Sequence, residues 1–301
     1  MKAKICIIGP GVVGQATGKV FAKLGFKTSF LGGNPQKTIK LRQEGYSAFL
    51  RSELFDGNYD FDISMLTVPT PTINGAIQLD AIRSASIDLG KRLKAGKKKY
   101  HLVVVKSTVP PGTTENIVTK IIERYSGWKA GKDFGICMNP EYLREKTAYE
   151  DALNPWVILI GQYNNKSGEM LEAVYKKFKC PIVRCKLREA EFQKYVHNLF
   201  NAVKITYFNE MRRICKKCNF DTKKVFEVTA YSAEGMWNPK YGIKDLGPFS
   251  GNCLPKDTRA FVKWAKLQGS EPRLLKTIIK INEDIANGSA LGKKRIFGAD
   301  L

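Results

Sequence analysis

Lys4-Ile5-Cys6-Ile7-Ile8-Gly9-Pro10-Gly11-Val12-Val13-Gly14 is the stretch on which the fold turns. An apolar run, mostly isoleucine, ends in three glycines spaced G-x-G-x-x-G. Beyond them Ala16, Val20, Phe21 and Leu24 recur at helical spacing until Gly25, and Lys27 to Leu31 reads as a second strand. Strand, glycine turn, helix, strand is the setting in which this motif binds a dinucleotide. Gly9 permits the tight turn, Gly11 lets the backbone approach a pyrophosphate, and Gly14 lets the helix pack closely on its strand. The helix start at Val12 and Val13 then offers N–H groups and the positive end of a dipole to the phosphates. The alternative at this point is a tight turn with no ligand.

The alternation continues outward. Phe61 to Val68 is a strand ending in Pro69-Thr70-Pro71-Thr72, Leu79 to Leu93 is helical, and His101 to Val105 is an apolar strand ending in Lys106-Ser107-Thr108. Pro110-Pro111-Gly112 opens a helix through Thr113 to Tyr125, Phe134 to Met138 ends in Asn139-Pro140-Glu141, and Val157 to Gly161 follows. Apolar strands alternating with helices imply an α/β fold, a doubly wound parallel Rossmann-type sheet. Thr67, Thr70, Ser107, Thr108, Asn139 and Glu141 stand just past strand ends, where such sheets bind ligands. One expected group is missing: the second strand ends in Gly32-Gly33-Asn34, with no acid for an adenosine ribose. Asn34 could bond a ribose hydroxyl and Lys37 or Arg42 a 2′-phosphate, which leaves the choice between NAD and NADP open.

From Arg188 to Asn219 there is no proline or glycine, and Phe192, Tyr195, Val196, Leu199, Val203, Tyr207 and Met211 keep helical spacing. This predicts one long helix opening a smaller all-α domain, with boundaries at 1–187 and 188–301. Such a helix suits a domain hinge or a dimer interface. Glu191, Lys194 and Asn198 share one of its faces, and spacing alone favours a solvated polar stripe there. After a helix over Asp221 to Tyr231 comes a turn-rich loop ending in Asn252-Cys253-Leu254-Pro255-Lys256-Asp257. Pro255 fits a first helical turn. That puts Cys253 just before a helix N-terminus and near Lys256, a setting that favours the thiolate and makes Cys253 a candidate nucleophile. Asp257, four residues on, could serve as a base or orient Lys194.

The chain has 301 residues, enough for two domains, with 43% hydrophobic and 26% charged residues, a globular composition. No apolar run nears the ~18 residues needed to span a bilayer, and Gly9 to Gly14 interrupts the first apolar stretch too early for a secretory leader. Seven scattered cysteines without a leader fit reduced thiols and a cytoplasmic location. A zinc site of Cys180, Cys185, Cys215 and Cys218 lacks a second C-x-x-C, and no metal is expected. The net charge of +22 is spread over small clusters such as Lys97-Lys98-Lys99 and Lys293-Lys294-Arg295. Nucleic acid therefore enters only as a non-specific charge effect.

Taken in order, Gly9 to Gly14, Thr67-Val68-Pro69-Thr70-Pro71, Lys106-Ser107-Thr108-Val109-Pro110-Pro111-Gly112, Asn139-Pro140-Glu141-Tyr142-Leu143-Arg144-Glu145 and Cys253-Leu254-Pro255-Lys256-Asp257 resemble the UDP-glucose/GDP-mannose dehydrogenase family, most closely its UDP-glucose 6-dehydrogenase branch. The resemblance spans almost the whole chain. It implies oxidation of a sugar-nucleotide C6 alcohol to a carboxylate with reduction of two NAD, through a thiohemiacetal and thioester on Cys253. It assigns Lys194 and Asn198 to the oxyanion, Asp257 to positioning water or Lys194, and Thr108, Glu145 and Glu141 to the catalytic water and the cofactor–substrate junction. Gly9, Gly11, Val12, Val13, Gly14, Thr67, Pro69, Thr70, Thr108 and Lys256 become the cofactor-binding set, a nucleotide sugar the substrate, and a homodimer is expected. Three binding features depart from the pattern: the absent ribose acid, the thinned glycine run Gly247-Pro248-Phe249-Ser250-Gly251-Asn252, and Trp237 where the family has arginine. The chain also stops at Leu301, about where the family continues into a nucleotide-binding third domain. The rival expectation is a catalytically impaired nucleotide-binding or scaffold protein of the same fold.

Overall fold

Apolar strands with no polar face require cover on both sides, and the computed structural model supplies it; it describes residues 3–53, 59–96, 100–244, 247–251 and 253–287. Asn252 and the basic clusters Lys97-Lys98-Lys99 and Lys293-Lys294-Arg295 lie outside the described residues. The chain divides into two compact units, 1–197 and 198–301.

In the first unit, β1 (Lys4–Ile8), α1 (Val12–Lys23), β2 (Lys27–Gly32), α2 (Pro35–Gln43), β3 (Ser47–Leu50) and β4 (Ile63–Leu66) are followed by a small hairpin, β5 (Thr72–Ile73) and β6 (Ala76–Ile77). Then come α3 (Asp80–Ala95), β7 (His101–Val105), a π turn over Thr114–Thr119 leading into α4 (Lys120–Ser126), β8 (Phe134–Met138), α5 (Ala148–Leu153), β9 (Ile158–Gln162), α6 (Asn165–Tyr175) and β10 (Ile182–Lys186). The sheet order is β10-β9-β8-β7-β4-β1-β2-β3. From β1 the chain goes to β2 on one side and later to β4 on the other, so the strand order reverses at β1.

Alternate residues of each strand feed two separate cores. Cys6, Ile8, Leu66, Val103, Val105, Ile136 and Met138 pack with α3 and α4 side chains such as Leu89 and Ile122. Ile5, Ile7, Met65, Leu102, Val104 and Cys137 pack with Phe21, Leu41 and Leu171 from α1, α2 and α6. Burial of each such side chain is worth about 1.5–3 kcal/mol.

The sheet is not parallel throughout, which corrects the expectation at one edge. β8 and β9 pair antiparallel, Met138 opposite Gly161, while β10 runs parallel to β9. Residues 139–157 connect the two strands, and their helix α5 packs on α1.

α7 (Leu187–Lys217) starts in the first unit and ends in the second, which continues with α8 (Thr222–Ser232), α9 (Glu234–Trp237), α10 (Leu254–Leu267) and α11 (Arg273–Ala286). Asp221 caps α8 by accepting from the Lys224 N–H at 3.1 Å, and Glu210 caps α11 by accepting from the Leu274 N–H at 2.9 Å. Phe220 stacks on Trp264 with centroids 6.2 Å apart. Beyond these contacts α7 and α8 expose Leu199, Phe200, Val203, Ile205, Val228 and Tyr231.

Candidate functional site

At the point where the strand order reverses, the ends of β1, β2, β4 and β7 enclose a crevice of about 560 Å³. Ligands of doubly wound sheets bind at this place. Gly9, Gly11, Val12, Val13, Thr67, Pro69, Thr70 and Thr108 all line it, together with Lys106, Ser107 and Glu141. Gly9 takes φ +97°, and a Cβ there would stand 2.9 Å from the Val68 backbone. Gly14 lies behind the lining, where a Cβ would come within 2.6 Å of the Gly9 carbonyl and of Thr67 Oγ1. Thr67 locks the turn by donating to the Gly9 carbonyl at 2.8 Å, and Thr70 donates to the Thr108 carbonyl at 2.8 Å.

Gly11 differs from both, because a Cβ on it would meet nothing within 4 Å. Nothing in the protein crowds that position. The α1 N-terminus carries no capping side chain and no acid in its first turn. Uncapped N–H groups over an open glycine floor fit a pyrophosphate.

Past β7 the crevice meets a buried polar cluster. Lys106 Nζ donates to Asn139 Oδ1 at 2.9 Å, and Asn139 is fixed in turn by Tyr175 OH at 2.6 Å and by the Leu159 carbonyl at 2.8 Å. Burial pulls the Lys106 ammonium down to about 8; Glu141 opposes the shift and Lys194 adds to it. Lys194 is only 5% exposed, pairs with Glu141 Oε1 at 3.2 Å and also donates to the Glu141 carbonyl. Glu191, fully buried, accepts from the N–H groups of Gly112 and Thr114, and burial holds its carboxyl above the usual range. The solvated stripe favoured by spacing is thus corrected at two of its three positions, and Asn198 is the exposed one.

Cys253 is the N-cap residue of α10 and the exposed member of the seven free cysteines. Lys256 and Asp257, on the first turn of α10, are exposed and ion-paired to each other. Cys253, Lys256, Asp257 and Asn198 belong to the second unit. Glu145 sits exposed on a 3₁₀ turn, Glu145–Thr147, and is absent from the crevice lining. Among the described residues no group of three or more His, Cys, Asp or Glu could hold a metal ion.

The residues that the sequence reading missed are Lys106 as a buried group and Arg51 in the crevice lining. Arg42, named with Lys37 for a 2′-phosphate, turns instead to Glu53 and the Ala48 carbonyl at 2.8 Å.

Lys106 gives a pH signature. Between about 8 and its ordinary 10.5 the unfolded chain keeps a proton that the folded chain lacks. Stability through this group therefore rises with pH across that window. Wild-type stability relative to Lys106→Met is expected to increase by roughly 3 kcal/mol over it, followed by urea denaturation at stepped pH. A difference independent of pH would mean that Lys106 stays charged.

Residues 49–179 match the NAD binding domain of the UDP-glucose/GDP-mannose dehydrogenase family, and residues 188–284 match its central domain. GDP-mannose 6-dehydrogenase of Azotobacter vinelandii is 37% identical over 93% of the chain, which spans 61% of that relative's length. UDP-glucose 6-dehydrogenase AglM of Haloferax volcanii is 34% identical over 93% of the chain and 69% of its own length. A crystal structure of a ternary complex of GDP-mannose dehydrogenase from Pseudomonas aeruginosa superposes with TM-score 0.85 at 31% identity, covering 94% of this chain and 69% of that one. Relatives of both substrate types match equally widely, so the comparisons do not single out the UDP-glucose branch. The first unit is a Rossmann-type NAD-binding fold, and the chain belongs to the UDP-glucose/GDP-mannose dehydrogenase family.

Proposed function

We propose that the chain takes part in NAD-dependent oxidation of a nucleotide sugar at its C6 alcohol, of the UDP-glucose or GDP-mannose type. The observation that carries this reading is Glu141, which lines the dinucleotide crevice and also holds the buried ammonium of Lys194. When bound, NAD supplies the oxidant. The Gly9–Gly14 turn and the uncapped start of α1 hold its pyrophosphate, with Thr67, Pro69, Thr70 and Thr108 along the crevice.

The chain's own groups have separable tasks. Lys194 offers a fixed positive charge to an oxygen that becomes negative, a task in which a preorganised donor outperforms water. Asn198 adds an amide donor, and Asp257 positions water. Cys253 adds its sulfur to the C6 aldehyde, giving a thiohemiacetal; after oxidation to the thioester, water releases the carboxylate and returns the thiol. Thr108, Glu141 and Glu145 organise that water. The exposed apolar residues of α7 and α8, Leu199, Phe200 and Val228 among them, support a homodimer.

The test incubates the chain with NAD and either GDP-mannose or UDP-glucose and follows the absorbance of the reduced nicotinamide. Reduction with one sugar nucleotide, two NAD per acid formed, is the expected result. No reduction with either, despite measurable NAD binding, would favour a binding or scaffold role.

A further inference from the structure

We propose that the β2 end of the crevice, floored by Gly32 and Gly33 and flanked by Lys37 and Arg51, is a subsite for a 2′-phosphorylated ribose, so that the chain binds NADP at least as tightly as NAD. The inference rests on the reading of the crevice as a dinucleotide site and adds a ribose specificity to it.

A ribose diol presents hydroxyl donors and is held by a carboxylate at the end of the second strand. Here that position is closed. A Cβ on Gly32 would lie 2.9 Å from both Cδ and Cγ of Pro10, a ring that cannot swing aside. At Gly33 a Cβ would meet nothing within 4 Å, so there is open room next to the closed position. Asn34 Oδ1 is turned to the start of α2, where it accepts from the Lys37 N–H at 3.0 Å. Among the described residues Glu141 is the one acid in the crevice lining, and it comes from beyond β8, not from the β2 end.

Two cationic side chains, Lys37 and Arg51, line this end. Arg51 is tied to the floor, its N–H bonded to the Gly32 carbonyl at 3.0 Å, and its guanidinium is steadied by Ser84 and Asp88, each at 3.4 Å. That leaves further N–H groups of the fork, with the Lys37 ammonium lining the same end. Two cationic donors, with no carboxylate among the described residues that line this end, match a phosphate, which only accepts, better than a pair of hydroxyls.

Adenosine 2′,5′-bisphosphate and AMP differ only in the 2′-phosphate, and titration calorimetry of the full chain with each isolates the subsite. The bisphosphate is expected to bind about tenfold tighter at low salt, with the advantage shrinking as salt screens it. Lys37→Ala with Arg51→Ala should abolish the advantage, so that AMP and the bisphosphate bind alike. Gly33→Asp should reverse the preference by restoring a carboxylate, and provides an independent readout if the double variant does not fold. AMP binding as tightly as the bisphosphate, or an advantage that survives the double variant, would overturn the subsite alone. Binding of neither nucleotide would overturn the dinucleotide reading with it.

Discussion

Replacing Cys253 by serine is expected to lower carboxylate formation from a nucleotide sugar by roughly a thousandfold or more, while NAD binding stays intact. The expectation follows from where the sulfur stands and from where the other thiols stand. Cys6 and Cys137 are buried, and burial pushes both thiols up to about 12. Cys185 is pushed up to about 11 and Cys180 is raised, again by burial. Cys215 is buried and Cys218 half-buried, whereas Cys253 is exposed at the start of α10. A hydroxyl at that position is a far weaker nucleophile at neutral pH and would yield an ester in place of a thioester. Mass spectrometry of the products separates the outcomes, and acid formation within tenfold of wild type would move the nucleophile elsewhere. Because the other six thiols are buried or half-buried, iodoacetamide should label Cys253 first and abolish turnover in parallel.

Lys194→Ala is expected to cost 10²- to 10³-fold in kcat, about 3–4 kcal/mol, the scale of one lost oxyanion donor. It should also lower stability by a few kcal/mol, because Glu141 loses the partner of a largely buried pair. The two effects separate in a double variant. Removing Glu141 as well should recover much of the stability and none of the rate. An unchanged kcat in a folded Lys194→Ala protein would take this ammonium out of the site.

The comparison of sequence with structure divides along the range over which each signal acts. The glycine turn was legible because its requirement is local: Gly9 and Gly14 are each forced by atoms a few ångströms away, whereas a Cβ on Gly11 would meet nothing within 4 Å. The two-sided core was legible because every residue of strands such as Leu102 to Val105 is apolar. Strand direction was not. The apolar run from Val157 to Gly161 looks the same whichever way it points, and only the pairing of Met138 with Gly161 shows that β9 runs antiparallel to β8. β3 and β10 also went unread, because their residues alternate or carry charge at the sheet edges.

Polar groups were harder still. Glu191, Lys194 and Asn198 look alike by spacing, yet two of them are buried against partners far away in sequence: Gly112 and Thr114 for Glu191, and Glu141 for Lys194. Lys106 follows an apolar strand and nothing local marks its burial, which comes with a bond to Asn139, itself fixed by Tyr175. Arg42 was closer in sequence to the ribose end than Arg51, but the return of the chain through β3 carries Arg51 to the Gly32 carbonyl.

The contact between the Pro10 ring and Gly32 makes two positions on neighbouring strand ends a single unit of variation. An aspartate arriving at 32 while the pyrrolidine is still in place would push the glycine turn out of shape, so the order of replacement matters: the ring has to go before the carboxylate can come. Single-site scanning would score position 32 as intolerant and overlook the paired change that is open to it, which makes Pro10 with Gly32 a natural target for combinatorial libraries aimed at exchanging one cofactor for another.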